Sequence, residues 1–250
     1  MDKKYYHPLK SHRRTKPIRP FFRLIRFFAK VFVKRVDFIW RCEKDEIPIF
    51  ICNHTGLSAP FAFLVFYPQK IRTWSYYKFL SVSKIWEHMK KVVLPRWRAP
   101  KILYPLCFLV TPVVFWLFRS IEPVPVYRVD RNVMNTYNKA IETYENGEAQ
   151  VIFAERLDSH AEKVSDYVYK LNRGFVRTAQ IYYERTGKIM KFYPCYCSSK
   201  LKKLVIGEPI YYNKDIPLKI QRETICNYLE NKITALGKSL PKHKVAQSIR

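Results

Sequence analysis

The sequence predicts an α/β fold: a single domain with a mixed, mostly parallel sheet flanked by helices. Three observations lead there. Short apolar runs rich in β-branched and aromatic residues alternate along the chain with longer segments of helical period. Glycines stand where those helical segments should stop. The chain has 250 residues, enough for one sizeable core, and carries no internal repeat and no Gly-Ser linker.

Residues 1–18 read as a polar, basic tail expected to lack order. Residues 19–44 read as an amphipathic, membrane-associating helix. Its cations fall at Arg19, Arg23, Arg26, Lys30 and Lys34, steps of four, three, four and four, which puts them in one stripe. Phe, Leu, Ile, Val and Trp fill most of the remaining circumference. An interfacial helix keeps cations at phosphate level with aromatics below them. The competing reading is a helix packed on the protein's own core.

Residues 45–237 read as the α/β domain. Strands are expected at 47–53, 70–75, 122–127, 149–154, 189–197 and 202–206. Helices are expected at 58–66, 78–90, 131–146, 174–186 and 216–236. Gly147, Gly187 and Gly237 follow helices as C-terminal caps should, and Gly207 falls in a turn. Within this domain, residues 102–118 carry no charge and are flanked by Lys101 and Arg119. A straight helix of that length reaches about 26 Å, short of the ~30 Å hydrocarbon core. The segment therefore reads as dipping into the membrane or lying on it, with a buried core helix as the alternative. Residues 238–250 read as a basic C-terminal tail.

The chain is strongly cationic, with 46 Lys and Arg against 20 Asp and Glu, a net charge of +26. Such a balance calls for a polyanionic partner, an anionic membrane surface or a nucleic acid. No zinc finger, basic-region zipper or aromatic ribonucleoprotein signature is present, so no nucleic acid is expected. The first twenty residues contain no apolar h-region. The six cysteines are accordingly expected to be free thiols in a reducing environment. Cys195-Tyr196-Cys197 has no second pair at ligand spacing, so no metal is expected and the triplet reads as a strand.

Chemistry concentrates at two strand ends. The apolar run Ile47 to Cys52 ends in Asn53-His54-Thr55, and Val151-Ile152-Phe153 ends in Ala154-Glu155. Sites in α/β sheets form beyond the carboxyl ends of strands, and a histidine there is a proton acceptor. The two ends together suggest one site. Five residues after His54, where a carboxylate would steer the imidazole, stands Ala59.

Several segments carry a more specific likeness. Ile51-Cys52-Asn53-His54-Thr55-Gly56-Leu57-Ser58-Ala59-Pro60-Phe61 resembles the first block of the glycerol-3-phosphate/lysophosphatidate acyltransferase family, which reads Asn-His, four variable residues, Asp-Pro. Pro125-Val126-Tyr127-Arg128 resembles the second block. Val151-Ile152-Phe153-Ala154-Glu155-Arg156 resembles the third, normally Phe-Pro-Glu-Gly. Arg173-Gly174-Phe175 resembles the helix start that follows, Phe192-Tyr193-Pro194-Cys195 the fourth block, and Gly207-Glu208-Pro209 the closing turn.

The resemblance covers residues 20–236 and implies an O-acyltransferase on the cytoplasmic face of the cell membrane, peripheral or monotopic. Such an enzyme would move a fatty acyl group from acyl-CoA or acyl carrier protein, as thioester co-substrate, to a hydroxyl of a (lyso)glycerophospholipid or related lipid acceptor. It would need no tightly bound cofactor. His54 would be the general base, Arg128 would hold an acceptor phosphate, and Glu155 would hydrogen-bond the acceptor's glycerol or order the pocket. The family aspartate is replaced by Ala59 and the glycine of the third block by Arg156, which would either supply positive charge or block the pocket. Ser58, Asp130 and Asp158 are the residues that would stand in for the aspartate. The alternative is a catalytically impaired relative that binds lipid or a partner at the membrane.

Overall fold

The computed structural model describes residues 20–56, 58–96, 100, 105, 107–127, 132–156, 162–243 and 245. These residues form one eight-stranded mixed sheet between two helical layers. The strands are β1 (Asp37–Trp40), β2 (Ile49–Cys52), β3 (Ile71–Tyr76), β4 (Val124–Val126), β5 (Ala149–Ile152), β6 (Lys191–Ser198), β7 (Lys203–Ile206) and β8 (Ile210–Tyr211). Their order across the sheet is β1-β7-β6-β2-β5-β3-β4, with β8 paired to β6. β6, β2, β5, β3 and β4 run parallel, while β7 and β8 pair antiparallel to β6 and β1 runs with β7. All six expected strands are present.

The central strands are apolar on both faces because helices cover both. Ile49 and Ile51 of β2 join Phe192 and Tyr196 of β6 in a core beneath α6 (Val133–Glu145), α7 (Val176–Thr186) and α8 (Leu218–Lys238). Phe50 and Cys52, one residue out of phase, join Val151, Tyr193, Cys195 and Cys197 on the opposite face. There they pack against Ala59, Ala62 and Phe63 of α2 (Ser58–Phe66). This alternation explains Cys195-Tyr196-Cys197: two small thiols face one core and a tyrosine the other. Among the described residues no group of three or more His, Cys, Asp or Glu is placed to hold a metal ion.

The amphipathic helix is shorter than the cation spacing suggests. α1 spans Pro20–Phe32, and residues 37–40 of the expected helix form β1 on the sheet edge. Val36, Phe38 and Trp40 pack on the α2 side and Ile39 on the other, a period of two that tertiary pairing with β7 brings out. Nor do the cations form one solvent-facing stripe. Arg26 turns inward: its Nε–H donates to the carbonyl of Val65 at 2.8 Å, and its Nη2 donates to that of Tyr67. The guanidinium thus closes the C-terminal end of α2, where carbonyls are left without helical partners.

α3 (Val82–His88) and α4 (Leu94–Arg96) follow β3, and α5 (Cys107–Ile121) carries most of the uncharged segment. Residues 102–104 and 106 of that segment lie outside the described residues. α5 retains Pro112 in its interior. Among the described residues no helix is long and apolar enough to cross a membrane. Gly147 and Gly187 end their helices at φ of 73° and 70° as expected. Gly237 does not cap α8, which continues through Lys238. A Cβ at 237 would run into the ring of Tyr167, so close packing explains this glycine.

Candidate functional site

β2 and β5 are adjacent and parallel, with Ile51 opposite Ile152, so their carboxyl ends deliver His54 and Glu155 to the same edge of the sheet. The backbone N–H of His54 donates to Oε2 of Glu155 at 2.6 Å. Oε1 of the same carboxylate accepts the backbone N–H of Tyr169 at 2.8 Å. Glu155 is buried, and it ties the turn after β2 to the segment 162–172, which folds back beside it through the Glu155–Leu171 bridge. Desolvation pushes its carboxyl up to about 7, against the opposing pull of the two N–H donors.

Asn53 fixes the other side of the turn. β2 pairs with β6 as far as Cys52 opposite Cys195. Beyond that point the Asn53 side chain imitates a peptide group: Oδ1 accepts the N–H of Cys197 at 2.7 Å, and Nδ2 donates to the carbonyl of Cys197 at 3.3 Å. The chain then reverses through Gly56 at φ 57° into α2. His54 is therefore held on the α2 side of the sheet between two anchored neighbours.

The imidazole is partly buried, with its ring edge-on to Phe153 at 5.2 Å between centroids. Nδ1 is buried and has no hydrogen-bond partner among the described residues. Ala59, where the resembling family carries its aspartate, is fully buried in the core beneath α2. Burial lowers the His54 pKa below the ordinary imidazole value, which favours the neutral ring, the form that accepts a proton.

Of the other expected residues, Arg156 is exposed and its backbone N–H donates to the carbonyl of Lys170 at 3.0 Å. Arg128, Asp130 and Asp158 lie outside the described residues. Ser58 is exposed at the start of α2. Asn53, which the sequence marks only as the partner of His54 in an Asn-His pair, and Tyr169 also belong to the site. Asn53 gave a usable signal, a polar residue directly after a fully apolar strand; Tyr169 contributes only a backbone N–H and gave none.

Beside the turn runs a cleft of about 220 Å³ between α2 and the link from α1 to β1. Val33, Val36, Phe61 and Phe66 make it apolar, and Lys34 and Lys202 place two cations at it. Neither protein-family models, nor curated proteins, nor solved structures match this chain.

Glu155 is the site residue whose role separates most cleanly by substitution. A glutamine keeps the shape but offers one acceptor where two N–H groups need two. Glu155→Gln should lower stability by about 1–3 kcal/mol above pH 7, read from denaturant midpoints. The parent should also lose stability between about pH 4.5 and 7 as pH rises, because the folded carboxyl holds a proton the unfolded one releases. That slope should vanish in the glutamine variant.

Proposed function

We propose that this chain is an O-acyltransferase of the lysophosphatidate acyltransferase type, with membership of that family part of the proposal. It moves a fatty acyl group from an acyl-CoA or acyl carrier protein thioester to a hydroxyl of a (lyso)glycerophospholipid or related lipid. The reaction takes place at the cytoplasmic face of the cell membrane, to which the chain attaches peripherally. The observation that carries this reading is the 2.6 Å hydrogen bond from His54 to Glu155, which unites two strand ends 101 residues apart in one site.

In the proposed reaction Nε2 of His54 takes the proton of the acceptor hydroxyl as its oxygen attacks the thioester carbonyl carbon. The carbon–sulfur bond breaks, and the leaving thiolate recovers the proton from the imidazolium. Glu155 and Asn53 are positioning residues: they hold the backbone on both sides of His54. Arg128 and Arg156 supply positive charge for an acceptor phosphate.

A second reading, an impaired relative that binds lipid without turning it over, is favoured by one observation. Nδ1 lacks, among the described residues, the group that would fix the tautomer, and Ala59 is buried where that group would start.

The test is an acyl-transfer assay of the full chain in anionic vesicles. Lysophosphatidate, glycerol phosphate and glycolipid acceptors are screened with both classes of thioester donor. His54→Ala should slow transfer about 100-fold or more. Transfer at the parental rate by that variant would remove the imidazole from the mechanism.

A further inference from the structure

We propose that α1 and α5 present a single docking face to an anionic lipid bilayer. This gives the membrane attachment of the reading above a specific surface, and it does not depend on the chemistry of His54.

Each helix has a defined inner side. α1 buries Phe22 and turns Ile25, Arg26 and Ala29 toward the protein, lying against both α2 and α5. α5 buries Thr111 and Ser120 and stacks Phe118 on Phe79 at 4.9 Å, packing along α3. The opposite sides are apolar and exposed. Leu24, Phe27, Phe28 and Val31 recur at steps of three, one and three on α1, and Phe32 extends them. All five are between 50% and 80% exposed. On α5, Leu109, Val113 and Trp116 recur at steps of four and three, and are 69%, 60% and 57% exposed. Eight large apolar side chains on two neighbouring helices exceed what scattered surface hydrophobics explain.

Charge identifies the occupant. Arg23, Lys30, Lys34 and Arg35 are exposed beside the α1 stripe, and Arg119 beside that of α5. Residues 1–41 carry thirteen cations against Asp2 and Asp37, so a strongly basic segment is continuous with the docking helix. Apolar groups flanked by cations match acyl chains beneath phosphate headgroups. A second copy of this chain would bring the same positive charge to the face and be repelled by it.

The experiment is co-sedimentation of the full chain with vesicles of equal parts phosphatidylcholine and phosphatidylglycerol, beside vesicles of phosphatidylcholine alone. Val31→Asp on α1 and Leu109→Asp on α5 should each lower binding to the anionic vesicles about tenfold. Ile220→Asp, an equally exposed apolar site on α8 in the other layer, should bind as the parent does, and so should His54→Ala. Circular dichroism melts should be unchanged in the three aspartate variants, because these side chains are exposed. Full binding by Leu109→Asp would exclude α5 from the face. Full binding by both Val31→Asp and Leu109→Asp would reduce attachment to charge alone. A parent that ignores vesicles but sediments as a dimer broken by Val31→Asp would assign the face to a second copy. Each of these three results overturns the proposal.

Discussion

Replacing Ala59 by aspartate should raise acyl-transfer turnover, by up to about 10⁴-fold if this carboxylate plays the part that an orienting aspartate plays in the serine-protease triad. The parent imidazole has a buried Nδ1 with no partner among the described residues, so nothing there selects the tautomer with a proton on Nδ1 and a lone pair on Nε2. A carboxylate five residues on accepts the Nδ1 proton and fixes that tautomer. Position 59 is also in the first turn of α2, where the helix dipole favours an anion. The pH profile should change in step. In the parent, burial of His54 should place the acid limb of kcat/KM below the ordinary imidazole value of about 6.5. The new anion favours the imidazolium, so the limb should move up. The variant should lose about 1–3 kcal/mol of stability, since it brings a charge into a site with no exposure. Activity gained from a silent parent would select the impaired-relative reading. An Ala59→Asp variant that folds and turns over no faster than an active parent would deny His54 its role as base.

Arg72→Ala should destabilise the fold by about 3–5 kcal/mol. Arg72 is the second residue of β3, at the end of the sheet away from His54, and it is buried with Glu148. Its Nε pairs with Oε2 of Glu148 and its Nη2 donates to Oε1 at 3.3 Å. Its Nη1 reaches the Glu122 carboxylate at 2.6 Å and the Glu122 carbonyl at 2.8 Å. The carboxylates raise the guanidinium pKa against the effect of burial, so Arg72 stays charged. Removing the guanidinium leaves Glu148 buried with Lys70, at 2.8 Å, as its remaining cation among the described residues. Lys91→Ala, which breaks the exposed pair with Glu87, should leave the urea midpoint unchanged. Equal midpoints for the two variants would show that burial adds nothing at Arg72.

Most elements between residues 45 and 237 were legible because their signals are local; β8, two residues long, gave no such signal, and α5 was not among the expected helices. The apolar run before Asn53 can only be a strand covered on both faces, and Gly147 and Gly187 take up the positive φ that ends a helix. Residues 37–40, read as the continuation of the N-terminal helix, were misread for the same reason. Cation spacing reports one turn at a time, and it cannot show that β7 leaves an open edge for Phe38 and Trp40 to join. Gly237 looked like a cap because its contact with Tyr167 joins residues 70 apart in the sequence.

The candidate site divides along the same line. Which residues stand at the ends of β2 and β5, and the missing carboxylate at position 59, were set by the order of residues alone, since side-chain type and strand period are properties of the chain itself. That Glu155 grips backbone rather than imidazole, that Asn53 substitutes for a rung of the β2–β6 ladder, and that Arg26 points inward were decided only in three dimensions. Each of these depends on a hydrogen-bond partner distant in sequence, and only the packed sheet and its helices determine which donors and acceptors meet away from water.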